Sequence, residues 1–204
     1  MGGWTIHTGQ AVALPLENID TDQLIPARFM SVPRAEGYGR YLLHDMRFDV
    51  AGQPDPDMVL NRHPGASILV TRRNFGCGSS REAAVYALVD AGFCAVIAPG
   101  FGDIFAGNAV NNGLLPARVS PEAAERLIAL LGTGTHDARI DLQSGEITLG
   151  DHKAAFDLDP TWRTKLIKGW DDIDLTGAEI PRIAAFRAQR RSDAPWAWPD
   201  SGAS

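Results

Sequence analysis

Nine residues, Asn74-Phe75-Gly76-Cys77-Gly78-Ser79-Ser80-Arg81-Glu82, constrain this chain more than any other stretch. Ahead of them lies an apolar, strand-like run at 66–71. Behind them Glu82 to Val89 reads as a helix that Gly92 stops, and Cys94-Ala95-Val96-Ile97-Ala98 reads as a second strand. A strand, a helix and a strand within some thirty residues predict a parallel crossover unit. The bend between strand and helix is the kind of place that holds a small anion. The N–H groups of a helix's first turn lack internal partners, and the dipole there is partly positive. Two glycines permit positive φ and close approach of a ligand to the backbone. Arg81 adds a planar fork matched to a carboxylate. From these residues the stretch is a site for an acidic substrate with a serine beside it. A plain strand-to-helix turn with solubilising serines stays open as the alternative.

Other motif readings fail on particular residues. A phosphate-binding loop needs Lys followed by Ser or Thr after its last glycine, and Ser79-Ser80-Arg81 follows Gly78. A dinucleotide fingerprint needs a glycine where Arg81 stands and an acid at the end of the second strand, which instead ends Ala98-Pro99. A cysteine nucleophile at Cys77 would need a histidine, and His7, His44, His63, His136 and His152 are all distant in sequence. No Cys-x-x-Cys and no histidine pair has metal-ligand spacing, so no metal site is expected on this chain.

The remaining elements predict an α/β domain with antiparallel strand towards its C-terminal side. Residues 10–16 read as a strand that enters the polar loop 17–22. Tyr41 to Phe48 reads as a short helix, and 51–65, with three prolines, as surface connection. Phe101 to Asn108 has helical spacing, Asn111-Asn112-Gly113 is a turn, and 114–119 is a third strand. Ser120-Pro121-Glu122 starts a helix that ends before Gly132. Ala138 to Leu142 and Glu146 to Leu149 form a hairpin, and 153–158 adds a strand. Pro160 to Lys168 and Ala178 to about Arg191 are helices. The expected division is a domain over 1–191 and a flexible tail over 192–204.

With 204 residues and a net charge of −6, the chain is poorly suited to bind nucleic acid or a membrane surface, both of which favour basic patches. Two cysteines give no disulfide framework, and no apolar run approaches the ~20 residues of a membrane span. A cytoplasmic protein is expected.

The glycine stretch closely resembles the signature loop of the small subunits of 3-isopropylmalate dehydratases, which are equivalent to the swivelling domain of aconitase. Three further blocks resemble that family in order: Asn18-Ile19-Asp20-Thr21-Asp22-Gln23-Leu24-Ile25-Pro26-Ala27-Arg28-Phe29, then Val96 to Phe105 with Asn112 to Pro116, then Gly169 to Thr176. The resemblance implies a single swivelling-type β/β/α domain with a C-terminal helical extension. It implies a hydro-lyase of leucine biosynthesis that acts on a small hydroxy-diacid. The active form would need a large partner subunit carrying a four-iron iron–sulfur cluster, with no cofactor on this chain. By resemblance Ser79 is the base. Ser80, Arg81, Asp22, Thr21, Arg28 and Arg34 are candidates for substrate binding, and Arg28-Phe29-Met30 for side-chain selectivity. Ala83, Gly100, Gly102, Lys168 and Trp170 depart from the usual pattern. Those departures leave open a related hydro-lyase acting on a methylmalate/citraconate, dimethylmalate or homoaconitate type of substrate, or a non-catalytic assembly partner.

Overall fold

The computed structural model describes residues 2–198. Among them seven strands form one sheet in the order β4-β3-β2-β1-β5-β6-β7. The parallel half contains β1 (Ile6–Leu14), β2 (Ile68–Thr71), β3 (Ala95–Ala98) and β4 (Leu115–Arg118). Antiparallel to β1 runs β5 (Thr135–Asp141), followed by the hairpin strands β6 (Glu146–Leu149) and β7 (His152–Ala155).

The central strands are apolar over 11–14, 68–70 and 95–98 because both faces of the sheet are covered there. Side chains alternate across the pleat. Val12, Leu14, Leu69, Val96 and Ala98 therefore enter one core, while Ala11, Ala13, Ile68, Val70, Ala95 and Ile97 enter the other. Helices α4 (Glu82–Asp90) and α5 (Asp103–Asn111) pack mainly on the first face, and α6 (Pro121–Leu131) on the second. Shorter turns α1 (Thr21–Leu24), α2 (His44–Arg47) and α3 (Val59–Arg62) edge the first core. Towards the C-terminus come α7 (Pro160–Lys168), α8 (Asp172–Ala178) and α9 (Ile180–Asp193).

Most element boundaries follow their local chemistry. Ser120 Oγ accepts the Ala123 N–H at 3.1 Å, and Pro121 opens α6 as its sequence predicts. Asp159 caps α7, and Gly169 ends it in the left-handed conformation that glycine adopts without strain.

Three expectations need adjusting. Strand β1 begins at Ile6 rather than residue 10, because its first half pairs with β5 and is only partly covered. The stretch 51–65 is not wholly surface connection, since Met58, Val59 and Leu60 are buried. In the expected tail, Ser192 and Asp193 complete α9 and a 3-10 turn follows at Pro195–Ala197, while 199–204 lie outside the described residues.

Candidate active site

Strands β1, β2 and β3 are neighbours, parallel and in register, so the loops after them leave the same edge of the sheet. In open α/β sheets that carboxyl edge is where ligands bind. The three loops are the 17–22 stretch, the glycine stretch 74–81 and residues 99–102, and backbone hydrogen bonds join them. The Gly76 N–H donates to the Ile19 carbonyl at 2.7 Å, and the Thr21 N–H to the Cys77 carbonyl at 2.9 Å. On the other side the Phe75 N–H donates to the Gly100 carbonyl at 3.1 Å, and the Gly102 N–H to the Phe75 carbonyl at 2.9 Å. Beneath them Phe75 is fully buried and meets Phe101 and Phe105 edge-on, with ring centroids 6.3 and 5.3 Å away.

The glycines are required here. Gly76 has φ +70°, and a β-carbon on it would lie 2.2 Å from the Phe105 ring. Gly78 has φ +97°. Gly102 has an ordinary φ, yet a β-carbon there would sit 2.5 Å from the Gly76 carbonyl oxygen. Its departure from the usual pattern is thus part of how this chain packs the two loops together. At Gly100 the nearest atom to such a carbon is 4.0 Å away, so that departure leaves space open. Lys168 and Trp170 form a pair of their own, with the ammonium 4.0 Å from the ring centroid.

Ser79 and Ser80 are exposed at the lip of the loop, and no side chain caps α4, whose N-terminus opens towards them. Arg81 stands at the N-cap of α4 with its side chain 21% exposed, and Nη1 donates to Asp22 Oδ1. That single partner fixes the fork while leaving its other N–H groups for a ligand. Thr21 is buried, and its hydroxyl donates to the Ser79 carbonyl at 3.0 Å. Thr21 therefore holds the serine's backbone and presents no atom to the cleft, which alters the substrate-binding role expected for it.

The structure does not bring Arg28 or Arg34 to this group. Arg28 is engaged by Asp45, with Nη1 2.9 Å from Oδ2, and holds that carboxyl below the usual range. Arg34 makes two bonds to Asp90, at 2.8 and 2.7 Å, and lies 4.0 Å over the Tyr86 ring. Asp90 closes α4 at the end opposite Arg81, about 13 Å along a nine-residue helix.

Between the loops lies a cavity of about 220 Å³, with Cys77, Gly78 and Ser79 on one wall and Asp103, Ile104 and Phe105 on the other. That is below the ~300 Å³ at which pockets for drug-sized ligands begin, so the wall on this chain encloses only part of a ligand. A larger cavity of about 420 Å³ opens at the end of β4 between Arg118, Asp157 and Trp162, but of the three loops it touches only Phe101 and includes neither serine nor Arg81. Ile104 was not singled out as a site residue in the sequence. It shares helical spacing with Phe101 and Phe105, which are buried, but is itself 56% exposed at the cavity wall. Among the described residues no group of three or more His, Cys, Asp or Glu side chains could hold a metal ion. The described residues thus offer no ligand set for a four-iron cluster.

The aconitase C-terminal domain family matches residues 1–122. The 3-isopropylmalate dehydratase small subunit of Rhodospirillum centenum is 41% identical over 201 residues, covering 97% of this chain and 99% of that protein. This chain belongs to that family. The small subunit of Roseiflexus sp. is 45% identical over 190 residues, covering 91% of this chain and 93% of its own length. A crystal structure of 3-isopropylmalate dehydratase from Methanocaldococcus jannaschii superposes with a TM-score of 0.65 at 25% identity, over 88% of this chain and 99% of that one. Membership accounts for the order of the four sequence blocks, and the loops of the first three, at 17–22, 74–81 and 99–102, meet at one edge of the sheet. No helix among the described residues is long and apolar enough to cross a membrane.

Proposed function

We propose that this chain is the small subunit of a 3-isopropylmalate dehydratase, interconverting 2- and 3-isopropylmalate by loss and return of water through an alkene. One observation carries the reading: Ser79, Arg81 and Asp22 stand together on loops that backbone bonds lock at the carboxyl edge of the sheet. The similarity to small subunits over nearly the whole chain supports it.

Dehydration needs a base for a proton on the carbon beside a carboxylate, and a grip on that carboxylate. Ser79 is the base in this reading. As an alkoxide it takes the carbon-bound proton and becomes a hydroxyl, the electron pair forms the double bond, and the hydroxyl on the neighbouring carbon departs with its bonding pair as hydroxide. Return of the serine's proton to that hydroxide, directly or through solvent, gives water and restores the alkoxide. Hydration reverses these steps with the hydroxyl returned to the other carbon. An alkoxide is costly in water, and the uncapped N-terminus of α4 with Arg81 beside it lowers that cost when water is excluded. Arg81 clamps the carboxylate, Ser80 supports it, and Asp22 holds the fork in place. Thr21 positions Ser79 through its carbonyl. In this reading a large subunit carries the iron–sulfur cluster, which supplies Lewis-acid assistance to the leaving hydroxyl.

The test is to combine the chain with its large subunit without oxygen, reconstitute the cluster and follow alkene absorbance with a panel of malate homologues. Turnover of isopropylmalates above the other diacids is expected. Turnover of a different diacid alone would move the assignment to another hydro-lyase, and no turnover on any would overturn it.

A further inference from the structure

Exposed large apolar side chains concentrate at the C-terminal end. Of the eleven among the described residues, Ile173, Ile180, Ile183, Phe186 and Trp196 fall within 173–198. Ile173 and Ile180 line one shallow concavity across the junction of α8 and α9. Ile180, Ile183 and Phe186 follow at intervals of three, which keeps them on one side of α9. That helix has fourteen residues and buries none of them against the domain. An isolated helix of this length is marginal in water, so α9 is expected to gain its stability from something packed on its apolar side.

The base of this surface is tied to the edge of the active site. At the start of α8, Asp172 accepts a hydrogen bond from the buried Lys165 ammonium at 2.6 Å and another from Asn111 Nδ2 at 3.1 Å. The next residue, Asn112, donates to Glu82 at 2.9 Å, and Glu82 directly follows Arg81. Two consecutive asparagines therefore fix α8 on one side and the N-terminus of α4 on the other. This hydrogen-bonded link is the path by which a chain that completes the half-open cavity over Ser79 and Arg81 would reach the face. Arg182 is paired with Glu179, but Arg187, Arg190 and Arg191 lie along the later turns of α9, two of them over the Trp198 ring, so an acidic rim on the incoming chain would complement them.

We infer that the apolar face of α8 and α9 is a docking surface for the cluster-bearing large subunit, continuous with the active-site edge. The inference rests on the proposed function. Ile183→Asp combined with Phe186→Asp places charge on the face without touching the core, and Val50→Asp, exposed far along the chain in the 49–53 turn, is the control. Association with the purified large subunit is measured by calorimetry and size-exclusion chromatography. The double variant should weaken it by about 100-fold or more, as removal of two apolar anchors does, with an unchanged melting temperature. Val50→Asp should bind like the parent chain. Equal affinity for the double variant would overturn the docking surface and leave the proposed function standing. Failure of the parent chain to bind the large subunit at all would overturn the functional reading itself. A homodimer of the parent chain, abolished by the double variant while binding to the large subunit persists, would assign the face to a second copy and overturn the inference.

Discussion

Ser79 and Arg81 sit two residues apart, yet the proposed function gives their side chains separate tasks, so their variants should fail differently. Ser79→Ala removes one oxygen from an exposed lip and leaves the Thr21 bond to the backbone carbonyl intact. Turnover by the reconstituted enzyme should be abolished while the heterodimer still assembles, and a near-normal kcat would remove the serine from its role as base. Arg81→Lys keeps the charge but loses the fork that Asp22 orients, so KM should rise more than kcat falls. A fall confined to kcat would show that Arg81 acts only in the transition state. Gly102→Ala tests the contact between two loops. Its β-carbon would press on the Gly76 carbonyl, a backbone atom with little freedom to move, and about 1–3 kcal/mol of stability should be lost. Chemical denaturation measures this, and an unchanged midpoint would mean that the loops separate easily.

At the scale of elements, the C-terminal helices depend on a single buried cation. Lys165 is 3% exposed, while its partner Asp172 is largely in solvent. The two variants of this pair should therefore differ in size. Asp172→Asn leaves the ammonium buried with neutral partners and should cost about 1–3 kcal/mol, towards the lower end because Asp172 is solvent-screened. Lys165→Met removes the buried charge and frees an exposed carboxylate, so it should be close to neutral. Urea unfolding of both proteins distinguishes the two costs. Hydrogen bonds from Lys165, then from Asn111, hold the Asp172 carboxyl below its usual range. The contribution of this carboxylate is thus present above about pH 4, the ordinary carboxylate value, and is lost as the pH falls through the depressed one. In Asp172→Asn that part of the acid sensitivity should vanish.

Across the whole molecule, legibility followed the range of the interactions involved. The unit of β2, α4 and β3 was readable because its signals are local: an apolar run, two glycines and a stop at Gly92. The hairpin of β5 and β6 and the cap at Ser120 were readable for the same reason. The start of β1 was not, since Ile6 to Gln10 become strand only by pairing with β5, more than a hundred residues later. Lys165 gave no sign of burial, because its partners at Asn111 and Asp172 come from other elements. The residues proposed to act in the loop stood out by type, and the family blocks placed them in order. The sequence placed Arg28 and Arg34 with them, but it could not show that Asp45 and Asp90 hold those guanidiniums elsewhere. Thr21 belonged to the right block, and only the fold revealed that its hydroxyl points at a carbonyl.

Most of the bonds that join the three loops run between backbone N–H groups and carbonyls, which every residue except proline supplies, with Thr21, Asn74 and Arg81 adding side-chain bonds. Such a frame passes intact from one descendant to the next while its side chains drift. Ala83 and the open space at Gly100 fit that pattern, since neither position contributes a side chain to the frame. Lineages of this fold can therefore explore new substrates by changing what lines the cavity, without first rebuilding the edge on which the serine is mounted.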